Sequence, residues 1–419
     1  MPEAPSTRCP VVAFDHMTPV SELDPDENWR SLRESTPVAW SEAHGGFWAV
    51  SRHADVSRVF KDYKTFSSAR TPQMNGTAHV IPPVVGLVRQ VPEELDPPEF
   101  HPIRRLLNGV LSPKAVANMQ PTVEYWVARC IDEIIEAGSC DLVYDLTSPL
   151  PGAVALGWLG FPEEDWRWIS EAYHDFLGYT SDHPRAVAAF ARVSTLDAQI
   201  LELLEQRRAA PRDDVISYLV AQEVDGAPIS TEIVHGMVSL LIGGGVDTTT
   251  SLMTSTLVHL SQHPQQRRRL IEDPTLWDTA TEEFLRRYPP IRSHARTVTA
   301  AVEVGGCPMK PGDRVLISER SACHDEEAFP RADEVVLDRF PNRHVAFGLG
   351  IHRCPGMHLA RLQYRELMTQ VLARMADYTV DVTRLAQYPV QGAVAGWASA
   401  PATFTPGRRR LEQGAPAPS

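Results

Sequence analysis

The chain has 419 residues, 43% hydrophobic and 22% charged, ample for a large core. A formal net charge of −13 argues against a dedicated nucleic-acid binder, and no run approaches the roughly 18 consecutive apolar residues of a membrane span. Six scattered cysteines with no CxxC pair argue against a disulfide framework and for a reducing cytoplasm.

Met1 to Arg8 lacks the apolar stretch of a signal peptide. Residues 1–45 are rich in proline and acid, with Trp29 and Trp40 as anchors. A short strand is expected at 46–50 and a helix at 54–61. Residues 70–98 carry Pro72, Pro82, Pro83, Pro92, Pro97 and Pro98; a loop of that length reads as a substrate lid or a poorly ordered segment. Apolar residues at three- and four-residue spacing then predict helices over 102–110, 116–137, 166–176, 184–208 and 213–222. Residues 228–260 read as one long buried helix, and 275–288 as another, stopped by Pro289-Pro290. Strands are expected at 298–304, 314–317 and 378–382, and a helix at 357–376. From Pro406 the tail is arginine-rich and small, and a loose conformation is expected. No internal repeat is visible, so the whole reads as a mainly helical unit with a minor sheet.

One thiol, Cys354, sits among Gly348, Gly350 and Gly356 just before a helix start. The helix N-terminus favours a thiolate there, which leaves three readings open. Zinc would need further ligands, and only His358 is an obvious neighbour. A nucleophile would need a base and an oxyanion hole, and an inert buried cysteine is the bland reading. The glycines imply close backbone approach to something flat or bulky.

Phe347, Gly350, His352, Cys354 and Gly356 fill every fixed position of Phe-x-x-Gly-x-His/Arg-x-Cys-x-Gly. The run resembles the cysteine-ligand loop of the cytochrome P-450 family, and further motifs follow in family order. The resemblance spans residues 10–405. It implies a mainly α fold with a minor β portion and one domain over 1–419, of which 406–419 is tail. Haem b would lie between a long distal helix and the cysteine loop, with Cys354 as the iron's axial ligand and Gly356 beside it. A thiolate in that position favours O–O cleavage. Pro355 has no amide N–H to offer the sulfur, which would make it a stronger donor.

The run Gly243-Gly244-Gly245-Val246-Asp247-Thr248 resembles the family's oxygen-activating groove. Each helical glycine costs about 1 kcal/mol relative to alanine, so something must lie against that backbone. The resemblance has Gly244 border haem and substrate, Thr248 hold dioxygen and a water, and Asp247 relay protons. A lone helical threonine more simply bonds the carbonyl four residues back. Glu283 and Arg286, in Glu-x-x-Arg, would form a structural pair with Arg339 as third partner; Val335-Val336 replaces the usual Phe-Asp ahead of it. Arg104, Arg296 and His352 would hold the haem propionates. Phe100 stands where the family commonly has histidine, and the adjacent His101 would face elsewhere. Arg292 falls at a position usually apolar, so it could anchor an acidic substrate.

The activity implied is monooxygenation: one atom of O2 enters a small or medium, mostly apolar substrate by hydroxylation, epoxidation or O-demethylation. That substrate would be enclosed by residues 70–98 and 166–208. Electrons would come from NAD(P)H through a ferredoxin reductase and a ferredoxin docked on Arg104, Arg105, Lys114, Arg353 and Arg361. Oxidative coupling or desaturation by the same haem, or haem binding without turnover, are the alternatives. A cytoplasmic monomer with no membrane or nucleic-acid partner is expected.

Overall fold

A computed structural model describes residues 9–411. Its spine is the helix Thr231–Gln262, started by the Ser230 hydroxyl, which accepts the Ile233 N–H. It runs unbroken through Gly243–Gly245. Pro149–Leu159 packs along it and is buried nearly all round. Periodicity does not find this helix, because a helix apolar on every face has no stripe. Trp166–Gly178 and Pro184–Ala209 pack on each other above the spine, and Met357–Arg374 packs on it from another side.

The helix expected over 116–137 is two, Pro113–Ala117 and Gln120–Ile134. Pro121 has no N–H for an interior helical bond, so the helix restarts with that residue in its first turn. The amino-terminal region is more regular than its composition suggests: it contains the helix Pro25–Ser35, capped by Asp24, and the strand Val38–Ser41. Trp29 and Trp40 are buried there, as expected.

A six-stranded sheet runs in the order Val11–Val12, Val38–Ser41, Phe47–Val50, Arg314–Ile317, His294–Val298, Phe66–Ser67. The single strand expected over 298–304 is in fact two, His294–Val298 in this sheet and Val302–Val304 in a separate hairpin. The alternation of the first aims His294 and Arg296 the same way, toward a cavity of about 380 Å³.

Of three expectations about the rest of the chain, two are corrected and one is sharpened. Cys9 and Cys307 are joined as a disulfide with their Cα atoms 5.6 Å apart; tertiary packing brings together cysteines that no local spacing relates. Residues 68–99 hold no helix or strand yet are organised around a fully buried carboxylate. Glu94 accepts the Ala78 N–H at 2.5 Å and the Gln90 N–H at 2.9 Å. Of the tail, residues 406–411 are held, since Asp132 accepts the N–H groups of Arg410 and Leu411; 412–419 lie outside the described residues. No described helix is long and apolar enough to cross a membrane.

Candidate active site

Cys354 lies between a short turn of helix, Gly350–His352, and the helix Met357–Arg374. Gly348 and Gly350 have φ of +63° and +73°. A Cβ on Gly350 would come within 2.6 Å of the Phe60 carbonyl oxygen, so glycine is what lets the loop lie against the helix His53–Lys61. The Cys354 N–H donates to the Phe347 carbonyl at 2.9 Å. Its sulfur opens on the cavity and receives the Gly356 N–H; burial pushes the thiol up, against the pull of that N–H and of Arg104. The helix start therefore does not by itself make the thiolate the resting form, as the sequence suggested. A metal ion on the sulfur reverses that balance.

The cavity, about 380 Å³, has the cysteine loop on one wall and the spine helix on another. A Cβ added to Gly244 or Gly245 would meet nothing within 4 Å, whereas one on Gly243 would come within 2.9 Å of the Tyr173 ring. Two of the three glycines thus bare helix backbone to open space, a cradle for a flat group. Thr248 lines the cavity, and its hydroxyl donates to the Gly244 carbonyl at 2.8 Å. Much of the remaining wall is apolar, including Trp158, Phe176 and Val394, with Gln90, Glu93, His294 and Glu319 as polar lining. Residues of the 70–98 loop and of Trp166–Gly178 contribute; the helix Pro184–Ala209, expected to enclose the pocket, stands behind these and does not line it.

Asp247 points away from the cavity and is 1% exposed. Its Oδ1 accepts the Tyr388 hydroxyl at 2.8 Å and the His174 Nδ1–H, while His174 Nε2 lies 3.0 Å from the Ser148 hydroxyl. This tautomer leaves every ring nitrogen matched. Burial and the Asp247 charge push the Tyr388 phenol well above its ordinary range. Asp247 Oδ2 has no protein partner. The proton relay expected of this carboxylate would therefore begin in a buried cluster.

Arg104, Arg296 and His352 all line the cavity. Burial, with Arg296 next, lowers His352 to about 3, so its ring is neutral, and its buried Nε2 has no protein partner. Arg296 bonds only its neighbour's carbonyl, Ala295 O, at 2.7 Å. Arg104 bonds Asn108 and the Arg353 carbonyl. None of the three is paired with a carboxylate at salt-bridge distance, which suits an anionic ligand edge. The Phe100 ring packs at a tilt against His352, centroids 4.5 Å apart, and His101 is exposed.

Arg292 is a correction. It is 2% exposed and absent from the cavity wall, bonded to Asp26 at 2.5 Å and Gln391 at 3.2 Å. A buried guanidinium needs a carboxylate, and Asp26 on the amino-terminal helix supplies it, pairing with Arg320 as well. Motif reading missed Glu93, His294 and Glu319 beside Arg296. Burial opposes a charge on His294, but Glu319 and Glu93 outweigh it and raise the imidazole to about 10.

Beneath the loop, Glu283 and Arg286 form a fully buried two-point pair at 2.8 and 2.9 Å. Glu283 also accepts from Arg339 at 2.8 Å, Asn342 at 3.0 Å and the Val336 N–H at 2.8 Å. Arg286 donates further to the carbonyls of Cys323, Ala332 and Glu334. Both charges are saturated with hydrogen bonds, as buried charges must be.

The family model described as cytochrome P-450 matches residues 181–381. The chain is 33% identical to cytochrome P-450 130 of Mycobacterium tuberculosis, covering 85% of this chain and 89% of that protein. It is also 33% identical to the erythromycin C-12 hydroxylase of Saccharopolyspora erythraea, covering 84% and 87%. A Mycobacterium marinum cytochrome P-450 solved in complex with pseudoionone superposes with a TM-score of 0.86 at 27% identity, covering 95% of this chain and all of that one. The bare thiol, the glycine-lined wall and the unpaired cationic edge fit haem b, that family's cofactor. The chain belongs to the cytochrome P-450 family of haem-thiolate monooxygenases.

Proposed function

We propose that this monooxygenase hydroxylates, epoxidises or O-demethylates a small or medium, mostly apolar molecule, fed with electrons from NAD(P)H by a ferredoxin and its reductase. The observation that supports this reading is a single apolar cavity bounded by both Cys354 and the Gly244–Thr248 stretch. Bound there, haem supplies the oxygen-activating redox chemistry, with Cys354 as its ligand. Arg104, Arg296 and the His352 Nε2 would hold its carboxylates. The open backbone at Gly244 and Gly245 admits the ring and the substrate beside it.

Thr248, whose proton is committed to the Gly244 carbonyl, presents its oxygen lone pairs to a water in the cavity. Asp247, held at Oδ1 by His174 and Tyr388 and unmatched at Oδ2, is the group that would relay protons to Thr248. The apolar walls exclude bulk water and orient the substrate by shape.

The test is a spectral screen of apolar compounds against the haem-loaded protein, followed by turnover of the hits with ferredoxin, reductase and NADPH. A Soret shift on binding and one oxygenated product per NADPH are expected. NADPH consumption with every hit recovered unchanged would sink the reading.

A further inference from the structure

Outside the lining of the haem cavity, three ligand-bearing side chains converge: Asp15, His16 and His44. One donor atom from each lies within 4.8 Å of the others. Asp15 Oδ1 is 2.8 Å from His44 Nε2 and 3.9 Å from His16 Nδ1. Nothing in the catalytic reading uses them.

His16 carries the argument. It is 6% exposed, and its Nε2 lies 2.6 Å from the Ile81 carbonyl oxygen. A carbonyl only accepts, so the ring proton sits on Nε2 and Nδ1 keeps a bare lone pair. That Nδ1 is buried, faces Asp15 and has no protein donor. Such a buried acceptor is costly unless something electrophilic meets it. An imidazole whose far N–H is tied to a backbone carbonyl is also the usual arrangement of a metal-ligating histidine. Burial keeps this ring neutral, lowering it to about 4.

His44 approaches from the turn between Val38–Ser41 and Phe47–Val50, with φ of +51°. Its Nε2–H donates to Asp15, a proton that a cation would replace. Four-coordinate zinc at about 2.0–2.2 Å sets its donors roughly 3.4 Å apart, between the two distances seen here. A cavity of about 280 Å³, lined in part by His44, Gly45 and Gly46, lies alongside and leaves room for a solvent ligand.

We propose that Asp15, His16 and His44 form a binding site for a divalent transition cation of the zinc class, held by two imidazoles and one carboxylate. The cation would clip together three segments far apart in the chain. They are the amino-terminal strand region, the turn at 42–46 and, through Ile81, the 77–83 segment whose neighbours His79 and Val80 line the haem cavity.

The experiment is calorimetric titration of Zn2+ into the haem-loaded protein, with thermal unfolding at matched Zn2+. His44→Asn keeps a residue that tolerates a left-handed backbone, and Asp15→Asn is nearly isosteric; an unchanged Soret band reports that each variant folds. One saturable site and a raised Tm are expected in the wild type. Affinity should fall by more than about tenfold in both variants, with the Tm rise lost. No saturable binding in the wild type, or wild-type affinity retained in both variants, overturns the site.

Discussion

Asp247 and Glu283 are both buried carboxylates, yet their surroundings make opposite demands. Glu283 has donors for each oxygen, including two guanidinium groups, whereas Asp247 leaves Oδ2 unmatched. Glu283 is thus held in a structural clamp, whereas Asp247 keeps one oxygen open to a further donor. Glu283→Gln would leave Arg286 and Arg339 buried without a counter-charge, so a loss of about 3–5 kcal/mol is expected in urea unfolding. That is a large share of the roughly 5–15 kcal/mol typical of a folded domain. Asp247→Asn should keep stability and the substrate-induced Soret shift, yet slow turnover about 100-fold or more and enlarge its solvent isotope effect. Cys354, Thr248, Arg286 and Arg296 were legible because each sits in a short run whose spacing carries its meaning. His174 and Tyr388 were not, because they meet Asp247 across separations of 73 and 141 residues. Arg292 misled for the same reason, since its partner Asp26 lies 266 residues away.

At the level of elements, long amphipathic helices were readable and the 70–98 loop was not. Its prolines forbid regular structure but do not reveal that one carboxylate organises it. Burial would raise Glu94, yet His79 and the Ala78 and Gln90 N–H groups hold it below its ordinary value of 4.5. A lowered carboxylate contributes stability that is complete above that ordinary value and is lost as pH falls through the folded one. The loop should therefore loosen in acid ahead of the spine. Hydrogen exchange at pH 7 should already show this in Glu94→Gln, with faster exchange over 70–98 and none in the Thr231–Gln262 helix. Uniform change in both segments would contradict it. The missed helix Pro149–Leu159 and the split at Pro121 share one lesson: burial on all faces and a proline in a first turn both erase the periodicity on which such reading depends.

Across the whole molecule, an acidic chain still gathers cations beside the cysteine loop. The bond from Arg104 to the Arg353 carbonyl sets the helix Phe100–Val110 against that loop. Arg361, first counted as a docking residue, is committed to Glu282 through two bonds of 2.7 Å. Arg105, Lys114 and Arg353 remain exposed. Reduction by an acidic ferredoxin should slow with added salt and slow further in Arg105→Glu, while substrate binding stays unchanged; a rate indifferent to both would place docking elsewhere. The family was legible from a few dozen residues, but which cations stay free depends on pairings that only the folded chain displays. The clamp on Glu283 also bears on the order in which a nascent chain can fold. Until Asn342 has left the ribosome, that carboxylate has only part of its donor set, and burying it is unfavourable. Cys354 emerges later still. The pocket is thus a late product of synthesis, closed by the carboxy-terminal part of the chain, and a stalled ribosome would carry helices with no place yet for haem.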